Sequence, residues 1–176
     1  MIYPETAMKK ILGLVLSCAV AVSCGYHLRG TGSFLPSHIK KISIPMFKNE
    51  TTRYELDLKL TQSVINELVA RAKLEVSADS RGADAVLSGD IVAFNVNPIA
   101  FSGQATADRY NITIVAKVVL RDLVNQKVIF SNLSFSYVQE YEVPQGTDFE
   151  SIETQAIDTV AEKFARSLVV NILEGF

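Results

Sequence analysis

Few residues of this 176-residue chain have the types that covalent or acid–base chemistry needs: two Cys (Cys18, Cys24), two His (His27, His38) and no Trp. So few thiols and imidazoles exclude a Cys-rich disulfide scaffold and a Cys/His zinc module. Both histidines lie in or beside a stretch broken by Gly25, Gly30, Gly32, Ser33, Pro36 and Ser37. They read as solvent-exposed or incidentally packed, because a Ser-His-acid site needs its base held beside a nucleophile on a rigid scaffold. No Gly-x-Ser-x-Gly elbow, Gly-x-Gly-x-x-Gly turn or Walker pattern occurs, so neither acyl transfer nor a nucleotide phosphate cradle is supported. Asp84 and Asp90 fall an even number apart on one expected strand and share a face. Six residues of strand separate them by about 20 Å, too far to act on one bond, so they read as solvated carboxylates. The triplets starting at Asn49, Asn111 and Asn132 match the glycosylation pattern by chance. The expectation is a protein that is not an enzyme and carries no cofactor and no metal.

The informative cysteine is Cys24. Met8-Lys9-Lys10 is a short positive start, an apolar run of about 12 residues extends from Ile11 to Val22, and Ser23, Cys24 and Gly25 follow. Charged, apolar, then small is the order of a secretory signal peptide, and the run is too short to span a bilayer. The charge pattern favours Met8 over Met1 as the start, since Met1 to Ala7 adds a polar leader with Pro4 and Glu5. Ala21-Val22-Ser23-Cys24 resembles a bacterial lipobox, the motif cut just before a lipid-modified Cys. Val15-Leu16-Ser17-Cys18 also fits, but would leave an apolar region of only about seven residues, so Cys24 is preferred as the lipid attachment site. Gly25 rather than Asp after it favours the outer membrane of a two-membrane envelope. Residues 1–23 are therefore read as a lipoprotein signal peptide, 24–38 as a lipid-anchored tether and 39–176 as a single domain.

Hydrophobic residues make up 48% and charged residues 20%, which is globular, and the net charge of −2 lacks the basic excess of a nucleic-acid binder. Charge is uneven along the chain. Residues 24–53 hold five Lys or Arg and one acid, while 140–162 hold seven acids and no Lys or Arg. The basic part follows the lipid anchor, where anionic headgroups would attract it; ordinary surface charge neutralised by neighbours in the fold explains it equally well.

The elements that must position these groups follow from periodicity. Ile42, Ile44 and Met46 alternate with Lys41 and Ser43, predicting a strand over about 39–47, with Pro45 at an edge or bulge. Thr52-Arg53-Tyr54-Glu55 reads as a capping box, and Leu56, Leu60, Val64 and Leu68, with Ile65 and Val69 beside them, predict a helix to about Ala72. A short edge strand over 73–77 precedes a long strand from Ala83 to Phe94. Asn95 to Ala107, with Pro98 and Gly103, reads as a loop. Tyr110 to Arg121 alternates, with Val115 and Val119 on an otherwise polar face. A turn over Asp122–Gln126 leads to a strand over Val128–Val143, with Ile129, Leu133, Phe135, Tyr137 and Tyr141 on one face. Thr147-Asp148-Phe149-Glu150 is a second capping box, opening a helix over about 148–173 with Ile152, Ala156, Val160, Phe164 and Leu168 inward. The resulting fold class is α+β: a two-layer sandwich, two helices packed on one face of a mostly antiparallel sheet of about four strands.

Cys24-Gly25-Tyr26-His27-Leu28-Arg29-Gly30 resembles the start of the mature lipopolysaccharide (LPS)-assembly lipoproteins, the LptE family, in which the lipid-bearing Cys is followed by Gly, an aromatic, His, Leu and Arg. The resemblance extends more loosely along the mature chain, in the order strand, helix, antiparallel strands, closing helix, and in Phe101-Ser102-Gly103-Gln104 with Tyr110. It implies a function without catalysis. Family members sit in the lumen of an outer-membrane β-barrel LPS translocon (LptD-like) as its plug and assembly partner, face the periplasm and are reported to bind LPS. LPS phosphates call for basic groups. The loop before the third strand holds one here, Arg109, so the candidate LPS or anionic-lipid contacts are Arg109, Lys40, Lys41 and Arg29. The alternative is a periplasm-facing lipoprotein bracing another envelope secretion or efflux complex.

Overall fold

In a computed structural model of the chain, the residues described are 34–72, 74–101, 107–144, 147 and 149–175. The proposed signal peptide, Cys24, His27 and Arg29 lie outside them. The elements are β1 (Lys41–Ser43), β2 (Lys48–Asn49), α1 (Leu56–Ala72), β3 (Glu75–Ser77), β4 (Ala85–Phe101), β5 (Ala107–Asp122), β6 (Lys127–Glu142) and α2 (Phe149–Glu174).

The predicted first strand is two strands. Pro45 has no N–H for a ladder, and the chain leaves regular pairing between Ser43 and Lys48. The break reverses the side-chain phase: Ile42 and Ile44 are buried, Met46 is exposed and Phe47 is buried. Ser43, expected on the polar face, is fully buried, its hydroxyl donating to the Ala78 carbonyl at 3.4 Å. Phe47 settles over Gly89 of β4, where a Cβ would stand 2.8 Å from the ring. Its N–H donates to Thr61 Oγ1 at 3.0 Å, fastening β2 to α1.

Helix α1 buries Leu56, Leu60, Val64 and Leu68 as one stripe, while Val69 is exposed on the far side. The first capping box does not form. The helix begins only at Leu56, and Glu55, at φ 59°, precedes it as the N-cap, its carbonyl accepting the first helical N–H from Lys59 at 3.1 Å. Asn49 builds the approach instead: Oδ1 accepts the N–H and hydroxyl of Thr51, and Nδ2 donates to the Arg53 carbonyl at 2.7 Å. For α2, Thr147 donates its hydroxyl to the Pro144 carbonyl at 2.6 Å. Asp148 and the side chain of Glu150 lie outside the description.

The sheet has six strands in the order β3-β1-β4-β5-β6, with β2 also beside β4. It is mixed, which corrects the expectation of about four mostly antiparallel strands. β1 pairs parallel with β3 and β4, and β2 parallel with β4. The cause is connectivity: α1 carries the chain back between β1 and β3, so the two run the same way. The antiparallel part is long. β4 runs through Asn95–Phe101, read from sequence as a loop, because Asn95, Val96, Asn97 and Pro98 are paired with Thr113, Ile112, Asn111 and Tyr110 of β5. Neither β1 nor β2 pairs with β4 beyond Ile91, so Pro98 lies on an edge, where its missing N–H is tolerated.

Strand β6 corrects another face assignment. Between its pairings with Ala116 and Val118 it advances from Phe135 to Asn132, one residue more than β5, and a second shift falls between Leu120 and Arg121. These bulges invert the phase, so Phe130 and Phe135 both reach the core while Leu133 is 68% exposed. Both helices share one core with the sheet, and Phe164 of α2 meets Phe135 edge-on, centroids 5.2 Å apart. None of the described helices is long and apolar enough to cross a membrane.

Candidate functional site

The basic stretch after the tether is held by backbone chemistry. Asp84, just before β4, accepts the backbone N–H groups of Lys40 and Lys41 at 2.8 and 2.9 Å. These two donors hold its carboxyl below the ordinary range. Asp84 is thus a clamp and not a free solvated carboxylate; Asp90 lies across from Lys117 of β5. With its backbone fixed, Lys41 meets Glu75 of β3 at 2.9 Å, which raises its pKa. The Lys40 ammonium is exposed and, among the described residues, has no carboxylate partner.

Arg109 stands near the start of β5, in a strand and not in the expected loop. Its Nη1 donates to Glu140 Oε1 on β6 at 3.0 Å, both groups half-exposed, and that partner raises its pKa. The structure does not bring Arg109 to Lys40 and Lys41. Ile42 of β1 pairs with Ala85 at the start of β4 and Arg109 with Ala100 near its end, so some 15 strand residues, about 50 Å, separate them. The candidates form two places at opposite ends of the sheet.

The uneven charge of the sequence closes on itself in space. Arg53 meets Glu153 at 2.7 Å, Lys59 meets Asp158, Lys48 meets Glu50 at 2.7 Å and Arg109 meets Glu140. The acidic 140–162 stretch therefore supplies partners to cations of α1, β5 and the loop before α1.

One cluster escaped the sequence reading. His38 Nε2 lies 2.8 Å from Asp122 Oδ2, a carboxylate that is almost wholly buried. Asp122 also takes the backbone N–H groups of Val124 and Asn125 and the Asn125 side-chain amide, at 2.8, 3.0 and 2.8 Å. Led by the Asn125 N–H, these donors outweigh burial and lower its pKa from 3.8 to about 2. The cluster ties the start of the domain to the β5–β6 turn. His38 meets Asp122 and Asn125, and the buried carboxylate is already taken up by three N–H donors of the turn, so the geometry is that of a fastening. The usable signal was Asp at a turn start, which commonly caps the N–H groups that follow; nothing local pointed to a histidine 84 residues away. Among the described residues no group of His, Cys, Asp and Glu could hold a metal ion.

Comparison with known proteins bears on what surfaces of this kind do. A family model described as LptE, Lipopolysaccharide-assembly, matches residues 39–172. No curated relative matches the chain in a sequence comparison. Among solved structures, a hypothetical protein from Chlamydia trachomatis is 10% identical, over 76% of this chain and 95% of that one, with a TM-score of 0.53. A protein from Xanthomonas campestris is 14% identical, over 80% and 90%, with a TM-score of 0.50. The rare lipoprotein B from Shewanella oneidensis is 10% identical, over 77% and 92%, with a TM-score of 0.46. At such identities the first two likenesses concern the fold alone.

Proposed function

Because the chain belongs to the LptE lipopolysaccharide-assembly family, we propose that it is an outer-membrane lipoprotein, lipidated on Cys24 and facing the periplasm. In this reading it sits in the lumen of the β-barrel LPS translocon, plugs it and helps to assemble it, and performs no catalysis. The family match over residues 39–172 is the observation that carries this reading. Two features support it. The lumen of a wide barrel is polar, and the sheet face turned away from the helices carries Ser88, Thr113, Lys117 and Arg121. The apolar core that both helices share with the sheet also holds the domain without a disulfide among the described residues. Of the candidate anionic contacts within the described residues, Lys40 and Lys41 lie just before and at the start of β1 and Arg109 near the start of β5, where it would exchange Glu140 for a phosphate; Arg29 lies outside the described residues.

The test is affinity isolation of the tagged full chain from detergent-solubilised outer membranes, with mass spectrometry of what stays bound. One large β-barrel protein in near-equal amount is expected. No barrel, or a different secretion or efflux complex, would overturn the reading in favour of a scaffold role elsewhere. Arg109→Ala should lower LPS binding several-fold with the fold unchanged; undiminished binding removes Arg109 from the site.

A further inference from the structure

Among the described residues this sheet leaves open β2, β3, the part of β4 beyond Ile91 and β6, and these edges are not treated alike, β2 being only two residues long. β3 is only three residues long, and the exposed part of the β4 edge carries Pro98, two devices that discourage further pairing. β6 has neither. It is 16 residues long, contains no Pro, has no charged residue from Val128 to Gln139, and among the described residues pairs only with β5. Its outer edge offers a row of N–H and C=O groups.

Helix α2 runs beside that edge and makes a groove of about 400 Å³ with it, walled by Tyr137 and Gln139 of β6 and by Lys163, Arg166, Ser167 and Asn171 of α2. The lining holds two cations and no carboxylate. The Lys163 ammonium donates to a neutral amide oxygen, Gln139 Oε1, at 3.1 Å. Arg166 is 65% exposed, and its nearest acid, Glu67 at 3.9 Å, is already hydrogen-bonded by Arg71. Both cations therefore retain charge to offer.

We propose that this groove is a docking site for an extended acidic segment of a partner protein, which adds to β6 as a further strand. Strand addition between an edge strand and a helix draws affinity from main-chain hydrogen bonds and specificity from alternate side chains. Every second side chain of the added strand falls on the helix side. A carboxylate there meets Lys163 or Arg166 in a charge-assisted hydrogen bond. A second copy of this chain fits less well, because its own β6 has no carboxylate from Val128 to Gln139 to set against Lys163 and Arg166. The proposal does not depend on the barrel partnership and can fail or hold without it.

The test uses the full chain, isotope-labelled, in detergent micelles, with two end-blocked nine-residue peptides as probes, one alternating valine with glutamate and one valine with lysine. The glutamate peptide is expected to bind at least 10-fold more tightly and to slow hydrogen exchange at alternate β6 amides. Reversing both exposed cations, Lys163→Glu with Arg166→Glu, should invert that preference while circular dichroism stays unchanged. Binding without β6 protection, equal affinity for both peptides, or self-association through β6 in place of peptide binding would overturn the proposal. So would inorganic pyrophosphate displacing the glutamate peptide with no role for the β6 amides, which would mark a plain anion site.

Discussion

At the scale of single residues, two positions carry more than their side chains suggest. Gly89 faces the core of β4, and the missing Cβ is what lets the Phe47 ring lie on the sheet. An added methyl would stand 2.8–2.9 Å from three ring carbons, Cγ included, so the whole ring must move. Gly89→Ala should therefore destabilise the domain by about 1–3 kcal/mol, the usual cost of overpacking. Combining it with Phe47→Leu should restore part of that loss in denaturant unfolding; simple additivity would refute the contact as the cause. Asp122 is the second position. Its folded pKa of about 2 lies below the ordinary 3.8. A lowered carboxylate pKa contributes stability that is complete above the unfolded value and is lost as pH falls through the folded one. The Asp122 share is thus present at pH 5 and above and drains between about pH 4 and pH 2. Asp122→Asn should lower the melting temperature at pH 7 and flatten its dependence on pH between 4 and 2. An unchanged slope would show that other carboxylates govern acid unfolding.

At the scale of elements, the β5–β6 hairpin hangs on a turn whose last residue, Gln126, adopts φ 55°. That left-handed conformation suits glycine and strains other residues. Gln126→Gly should stabilise the domain by about 0.5–1 kcal/mol, read as a higher denaturant midpoint with an unchanged slope. The gain is partly offset by the greater freedom of glycine in the unfolded chain. This turn was legible in the sequence, as were the inward stripes, the end of α1 at Ala72 and, to within a residue, the end of α2, expected at about 173 and found at Glu174, since helical periodicity is a local signal. What escaped depended on partners. Asn95, Asn97 and Pro98 have poor strand propensity, and only pairing with β5 makes them a strand. The β6 bulges shift the alternation mid-strand, so one phase could not fit both Phe130 and Phe135. Parallel pairing of β1, β2 and β3 is invisible to alternation, which gives face and not direction. Among the candidate contacts, spacing in the sequence suggested one basic region after the anchor. The fold pairs Lys41 of that region with Glu75, and it sets the separate candidate Arg109 at the opposite end of the sheet, with Glu140.

At the scale of the whole molecule, α2 has two duties on opposite sides. Its inner face, through Ala156, Val160, Phe164 and Leu168, closes the single core. Its outer face carries Lys163 and Arg166 beside β6. Adjacent residues should therefore separate stability from binding. Phe164 is fully buried and meets Phe135 edge-on across the layer boundary. Truncation to Ala removes that contact and leaves a cavity between helix and sheet, a loss of about 3–5 kcal/mol. Against a domain stability of about 5–15 kcal/mol, that is a large fraction. Each kcal/mol lowers the midpoint by about 2–4 °C in a domain of this size, so Phe164→Ala should melt roughly 6–20 °C lower and reach lower abundance in the envelope. Lys163→Glu, one residue earlier on an exposed face, should leave the melting temperature within about 1–2 °C, because surface changes are usually worth under about 0.5 kcal/mol. If both variants lowered melting alike, the outer face of α2 would belong to the core and not to a binding surface. If neither did, the Phe135–Phe164 contact would not be what joins the two layers.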